Sequence, residues 1–362
     1  MTRDTTEPAA TSSLCGVEGC RVNKQGDAAH DEDIRRAARR LAEGGLVAFP
    51  TETVYGLGAD AENADALARI YAVKGRPANH PVIVHVAPEA DIDYWAASVP
   101  LEGRLLMDAF WPGPLTLILP RAAHIPAAVS GGQASVGLRC PSHPLAQALL
   151  REFAALKPSG QGGVAAPSAN KFGQVSPTQA IHVRNEFPEL GENQLMVLEG
   201  GSSEVGIEST IVDVSRIGQG IGPVLLRPGH ISLDDLGAAL GAPVGLPDDA
   251  APRVSGSLKA HYAPRTPLFI RSPAALQDEV GIARPDAGRI AVVAFAPAPQ
   301  ALAPHVDWQV CAADPASYAQ GLYALLRRLD AGGYARILLE APPRTRAWQA
   351  VNDRIGRAAA AF

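Results

Sequence analysis

Cysteine is scarce, with four in 362 residues. Cys15 and Cys20 lie near the N-terminus, while Cys140 and Cys311 are far apart in the chain. Neither a disulfide framework nor a zinc site is suggested by that spacing, so a reduced, cytoplasmic protein is expected. Long apolar runs are also missing. None approaches the roughly 18 residues that cross a bilayer, and no membrane partner is expected. Met1 to Gly26 lacks the apolar core of a signal peptide and reads as a polar, disordered tail. There is no excess of positive charge either: the formal net charge is -5. A global basic field for gripping nucleic acid is therefore excluded. Among motifs, the chain has no GxxxxGK(S/T) phosphate loop, no HExxH, no GxSxG elbow and no kinase-like set. A nucleotide bound here would have to be held by dispersed side chains.

What is present describes a globular protein with ample core, 47% hydrophobic and 19% charged. Its length exceeds what one compact core usually holds, so two domains are expected. The organising stretch runs from Gly45 to Gly58. Leu46 to Phe49 has the length and apolarity of a strand buried on both faces. Pro50 ends regular pairing. Thr51 and Thr53 then share one side by period-two alternation. Gly56 and Gly58 read as a turn that lets backbone come close to whatever sits above the strand end.

Helices are expected from Asp31, over Ala64 to Val73, Leu101 to Phe110, His143 to Phe153, Ser232 to Leu240, Ser317 to Leu329 and Ala347 to Ala360. Between them lie strand-like runs at Pro81 to Val86, Leu115 to Leu119, Gln133 to Leu138, Gly162 to Ala166, Gln194 to Leu198, Glu208 to Val214 and Pro223 to Leu226. Without a strict βαβ period, this part reads as α/β of the α+β kind, on a mixed sheet. Gly241 to Pro267 is rich in Pro, Gly, Ala and Asp and reads as a linker. Strands at Leu268 to Ile270, Ile290 to Phe295 and Arg336 to Leu339 alternate with helices, as in a small Rossmann-like domain. No GxGxxG is present, so no dinucleotide is assigned to it.

Polar clusters recur at the ends of these runs. Lys74-Gly75-Arg76-Pro77 places two cations past a helix end, where they complement the helix dipole or clamp phosphate. His80 and His85 flank or occupy a strand, where packing is the commoner role. Arg139 ends a strand as a surface arginine or as a partner for a carboxylate. Pro167-Ser168-Ala169-Asn170 gives a hydroxyl and an amide on a turn. Glu208-Ser209-Thr210 opens a strand and Arg227 closes one.

Taken together, Phe49-Pro-Thr-Glu-Thr-Val-Tyr-Gly-Leu-Gly58, Lys74-Gly-Arg-Pro77, Asn79-His-Pro81, Trp111-Pro-Gly-Pro-Leu-Thr116, Ala166-Pro-Ser-Ala-Asn170 and Gly206-Ile-Glu-Ser-Thr-Ile211 resemble the YrdC-like threonylcarbamoyl-AMP synthases. Order and spacing agree as well. Lys74, Arg76, Ser168 and Asn170 match the family's KxR…SxN signature. Lys259-Ala-His-Tyr-Ala-Pro264 and the α/β tail resemble the long, two-domain form, although the family's usual basic residue before the His-Tyr pair is absent. The resemblance runs from about Asp31 to Phe362.

The resemblance implies a YrdC-like catalytic domain with a mixed twisted sheet and a concave active-site face at residues 30–240. A disordered tail at 1–29, a linker and active-site lid at 241–266, and a Rossmann-like C-terminal α/β domain at 267–362 complete the expectation. It implies synthesis of L-threonylcarbamoyl-AMP and pyrophosphate from L-threonine, bicarbonate and ATP. The product would feed threonylcarbamoyladenosine modification of tRNA through a downstream threonylcarbamoyl-transferase complex. By the same resemblance, Thr53, His85, Arg139, the Ala166 backbone and Ser209 would hold threonine. Arg76, His80, Ser135, Ser168, Ser176, Arg227 and Tyr262 would hold ATP, and Lys74, Arg76 and Asn170 would be catalytic. Mg²⁺ is expected on the phosphates, with no protein metal ligands, and no stable direct tRNA binding is expected. Two other classes stand beside this one. One is an RNA-binding module without turnover. The other is a carbamoyl-transfer maturation factor, whose usual zinc-finger and acylphosphatase modules the cysteine count does not support.

Overall fold

The computed structural model describes residues 24–362. The expected tail lies outside the described residues as far as residue 23. The remainder of that stretch is helical, because α1 spans Lys24–Ala42 and so starts well before Asp31. No proline stands between residues 24 and 31 to stop it.

In chain order there follow β1 (Leu46–Phe49), β2 (Gly56–Asp60), α2 (Ala64–Lys74), β3 (Ile83–His85), α3 (Ile92–Trp95), α4 (Leu101–Phe110), β4 (Leu115–Pro120) and β5 (Ser135–Arg139). Next come α5 (Pro144–Leu156), β6 (Val164–Ala165), α6 (Ala180–Glu186), β7 (Leu195–Val197), β8 (Thr210–Asp213), β9 (Val224–Arg227) and α7 (Leu233–Leu240). The last part holds β10 (Leu268–Arg271), α8 (Pro273–Gly281), β11 (Ile290–Ala294), β12 (Val306–Val310), α9 (Pro315–Asp330), β13 (Arg336–Glu340) and α10 (Gln349–Ala359). Among the described residues, nine strands form one sheet in the order β7-β1-β2-β6-β3-β5-β4-β8-β9, and four form another in the order β10-β13-β11-β12. The first is mixed, as expected, with β3 parallel to β5 but antiparallel to β6. In the second every pairing is parallel.

β1 is buried on both faces. Its side chains alternate between cores: Leu46 and Ala48 pack with Leu67 and Ile70 of α2, while Val47 and Phe49 pack with Ile34 of α1 and Leu149 of α5. Of the glycines after it, Gly58 has a different use from the one anticipated. Gly56–Asp60 is not a turn but a strand running back along β1, with Val47 opposite Gly58 and Phe49 opposite Gly56. A Cβ on Gly58 would sit 2.9 Å from the Phe49 ring and 2.8 Å from Val164. At Gly58 the close approach is to the core, while Gly56 also lines the hollow described below.

In the smaller sheet, α8 covers one face through Leu276 and Val280. On the other face α9 and α10 present Leu322, Leu326, Val351 and Ile355. That second core also takes in Val54, Val175, Ile207 and Tyr262 from the first part of the chain, so α9 and α10 are packed on both sides. Gly206, at φ 76°, is what lets the chain before β8 touch α9: a Cβ there would lie 2.4 Å from the Gln320 Cα. Residues 241–266 do not hang free as a spacer. Gly245 bridges to Val224, Arg216 pairs with Asp248 at 2.7 Å, and Gln133 and Arg253 exchange two hydrogen bonds. No helix among the described residues is long and apolar enough to cross a membrane.

Gly58→Ala should lower stability by about 1–3 kcal/mol, because the added methyl meets packed side chains on both flanks. Chemical denaturation measures this. An unchanged midpoint would mean that Phe49 and Val164 have room to yield.

Candidate active site

Strand ends of the larger sheet converge on one small hollow. The bend after β1 contributes Thr51 and Thr53, β3 contributes His85 and β5 ends in Arg139. Ala166 and Ser168 follow β6, Ser209 precedes β8 and Arg227 ends β9. Ser255, His261 and Tyr262, from the segment after α7, complete the wall.

The bend is built by Thr51. Its Oγ1 donates to the Val54 carbonyl at 2.6 Å and accepts from the Val54 N–H at 3.2 Å. It also lies 2.9 Å from Thr53 Oγ1, so the two hydroxyls do share a side. Arg139 is not a surface arginine. Its Nη2 is 2.7 Å from Glu52 Oε1, with both side chains buried. The alignment is poor for a hydrogen bond, and neither Glu52 Oε1 nor Arg139 Nε has a hydrogen-bond partner among the described residues. The second carboxylate oxygen of Glu52 accepts from the Ser142 N–H at 3.2 Å. Glu52 is thus the ionic partner of Arg139. It stood in the organising motif without an assigned role.

His85 is buried against Phe49, ring edge to face, and its Nδ1 is unpartnered among the described residues. Burial, then the nearby Arg139 charge, pushes its pKa down to about 3, so the imidazole is neutral. Ser209 Oγ is 2.8 Å from Thr116 Oγ1 and accepts from Arg227 Nη2 at 3.0 Å. Arg227 also donates to the Ser209 carbonyl at 2.9 Å and to the Ser255 carbonyl at 2.9 Å. It therefore ties two walls together.

Other expected residues stand behind or beside the wall. Lys74, at the end of α2, donates to the Ser168 carbonyl at 2.6 Å and to the Asn170 carbonyl. Its ammonium braces the 167–170 turn from behind, and burial followed by the Arg76 charge lowers its pKa well below the ordinary value. Asn170 spends its amide on the Lys171 and Gln174 carbonyls. Arg76 donates to the Pro81 carbonyl at 2.8 Å and lies over Phe172, with its pKa lowered to about 10 by burial. His80 meets the same ring edge-on at 5.3 Å. Ser135 opens β5 away from the wall residues. Ser176 points at Glu208, donating to Oε1 at 2.6 Å.

Tyr262 closes the hollow. It has φ 61°, a left-handed conformation that side chains other than glycine rarely adopt. It is buried, and its hydroxyl has no partner among the described residues. Its ring packs on His261 at 4.1 Å and on Tyr323 at 5.7 Å, with the Arg354 guanidinium 5.3 Å from its centroid. Tyr323 and Arg354 were not anticipated. A signal for Arg354 was present, since it sits on the apolar stripe of α10 with Val351, Ile355 and Ala358.

The chain also matches known proteins. A family model described as telomere recombination, covering Sua5, YciO and YrdC proteins, matches residues 39–229. A second, the C-terminal domain of threonylcarbamoyl-AMP synthase, matches residues 231–360. The threonylcarbamoyl-AMP synthase of Bacillus subtilis is 38% identical over 339 residues, covering 91% of this chain and 94% of that protein. The Pyrococcus abyssi enzyme of the same name is 40% identical over 243 residues, covering 66% of this chain and 67% of its own. The crystal structure of P. abyssi Sua5 complexed with L-threonine superposes with a TM-score of 0.79 at 32% identity, covering 91% of this chain and 94% of that one. Matched from near its first strand to its last helix, the chain belongs to the threonylcarbamoyl-AMP synthase family of nucleotidyltransferases, in the two-domain form.

Proposed function

We propose that this chain condenses L-threonine, bicarbonate and ATP into L-threonylcarbamoyl-AMP and pyrophosphate, in the cytoplasm, for threonylcarbamoyladenosine modification of tRNA. One observation carries the reading. Arg139 Nε, His85 Nδ1, His261 Nδ1 and the Tyr262 hydroxyl, all on wall residues, are buried and unpartnered among the described residues. A buried polar group left unmet costs about 1–3 kcal/mol, so four around one hollow fit a polar, charged ligand. The relatives' name supplies the chemistry, and the P. abyssi structure holds L-threonine.

In this reading Arg139 takes the threonine carboxylate through its free edge, with Glu52 holding the guanidinium from the other side. A neutral His85 beside it adds no second positive charge, and it offers the amine a lone pair or a donor. Thr53 and Ser209 receive the threonine hydroxyl, and the Ala166 backbone lies along the amino acid. The threonine amine and bicarbonate combine with loss of water to a carbamate, whose oxygen attacks the α-phosphorus of ATP as the α–β P–O bond breaks and pyrophosphate leaves. Such transfers depend chiefly on alignment and on neutralising oxygen charge. Arg76 and His80 stand beside the hollow to hold nucleotide, with Ser168, Arg227 and Tyr262 on the wall. Lys74 acts by fixing the carbonyls of the 167–170 turn, and Asn170 by fixing its far side. Ser135 and Ser176 would reach nucleotide only after a shift of the chain around them. Mg²⁺ would be carried by phosphate oxygens, since Glu52 and Glu208 are each committed to an arginine.

Residues 30–240 would then be the catalytic domain and 267–362 a supporting one. Residues 241–266 would be a linker whose Tyr262 closes over ATP and shields a hydrolysable mixed anhydride. The product would pass to a threonylcarbamoyl-transferase complex.

Pyrophosphate release from ATP should require both L-threonine and bicarbonate and should stop when either is omitted. Salt-dependent RNA affinity with no such release would make the chain an RNA-binding module instead. L-Valine, lacking the hydroxyl, should be used at least roughly a hundred-fold less well than L-threonine, and equal use would remove Thr53 and Ser209 from that role. Arg139→Lys keeps a charge facing Glu52 but loses the fork. It should cost about 1.5–3 kcal/mol, roughly ten- to hundred-fold in kcat/KM for L-threonine, and a wild-type value would misplace the carboxylate.

A further inference from the structure

We propose that Tyr323 and Arg354, two side chains of the four-stranded-sheet domain, are positioning residues for the active site in the other domain. They fix the Glu208-Ser209 wall and the closing ring of Tyr262 as one body. The proposal rests on the synthase reading given above.

Glu208 lines the hollow next to Ser209. Its carboxylate accepts from Ser176 at 2.6 Å, from the Tyr323 hydroxyl at 2.8 Å and from Arg354 Nε at 2.7 Å. Arg354 Nη2 also donates to the Glu208 main-chain carbonyl at 3.3 Å, the peptide that leads into Ser209. Both side chains of the ion pair are buried, Arg354 completely. The same guanidinium lies over the Tyr262 ring, and Tyr323 stacks on that ring from beside it. One cation therefore touches the threonine wall and the closing residue together. A buried ion pair contributes little net stability compared with well-packed apolar side chains. What it does supply is a fixed geometry, and here the anchored atoms face a binding hollow.

The charge state of Glu208 depends on this contact. Burial alone would raise its pKa, but Arg354 and Arg227, helped by the Ser176 hydroxyl, hold it at about 2. The groups facing it are Arg227 from β9, Arg354 from α10, Tyr323 from α9, and His261 and Tyr262 from the linker. His261, lowered to about 3, is neutral, and both tyrosines are raised and neutral. Only the two arginines oppose the carboxylate. Without Arg354, the buried acid should take up a proton closer to neutral pH.

The test uses the full chain and measures pyrophosphate release dependent on L-threonine and bicarbonate, across pH, beside the thermal midpoint. Tyr323→Phe should raise KM for L-threonine roughly tenfold, with its ring packing kept. Arg354→Met should lower kcat/KM further and introduce an acid limb absent from the wild type. Arg354→Met combined with Glu208→Gln removes the Glu208 carboxylate, while Asp353, the other acid on Arg354, keeps its pair with Arg357, so the variant should lose that limb and regain part of the activity. Arg346→Ala removes an exposed pair with Asp234 at the same seam and should leave the kinetics unchanged. Folded Tyr323→Phe and double variants with wild-type KM would overturn the proposal, as would an Arg354→Met profile that coincides with the wild type's. If Arg354→Met does not fold, the other two variants decide. A wild type without threonine-dependent release would overturn the synthase reading and this proposal with it. Release by the wild type alongside indifferent variants would overturn only this one.

Discussion

A carboxylate buried where two sheets meet has to be neutralised, and in this chain the neutralising group comes from the far end of the sequence. Glu208 precedes β8 in the larger sheet, and Arg354 lies on the last helix of the smaller domain. Their contact fixes how α9 and α10 sit against the chain before β8, a seam that Gly206 narrows by dispensing with a side chain. It also fixes the peptide into Ser209 and the ring of Tyr262. The apolar residues shared across the seam, Val54, Val175, Ile207 and Tyr262, pack with α9 and α10 in one core beside that contact.

The same device recurs around the hollow. Arg139 is paired with Glu52 behind the wall, Lys74 is bound to two carbonyls of the 167–170 turn, and Arg227 holds the carbonyls of Ser209 and Ser255. Each cation leaves water and is compensated by main-chain oxygen or a carboxylate rather than by solvent. Each converts a loop at a strand end into a stiff edge. The chemistry assigned to this family needs alignment more than it needs a strong acid or base, and braced edges supply alignment. The positive charge concentrated behind the wall also suits the proposed binding of an amino-acid carboxylate and a polyphosphate there.

Much of this was legible in the residues. β1, β5 and β9 announce themselves as apolar runs ending in a polar corner, and those corners do converge. β2 was misread because Gly56-Leu57-Gly58 carries the usual marks of a turn, whereas small residues there make room for Phe49 and Val164. Helices α3, α6 and α8 and strand β12 are short or weakly patterned and gave no periodic signal. The roles of Arg139 and Lys74 turned on partners distant in sequence, Glu52 and the 167–170 carbonyls, which no local pattern reveals. Glu208 and Arg354 lie 146 positions apart and were out of reach for the same reason. An arginine on an apolar helical stripe was nonetheless a visible sign that something inside the fold needed its charge.

The seam at Glu208 has a hereditary consequence. A gene that shed everything beyond β9 would strip the cover from Glu208 along with its cation, so water would take the place of Arg354 at the carboxylate. The peptide into Ser209 would lose its anchor, and the floor of the cavity would have to be held by the larger sheet alone.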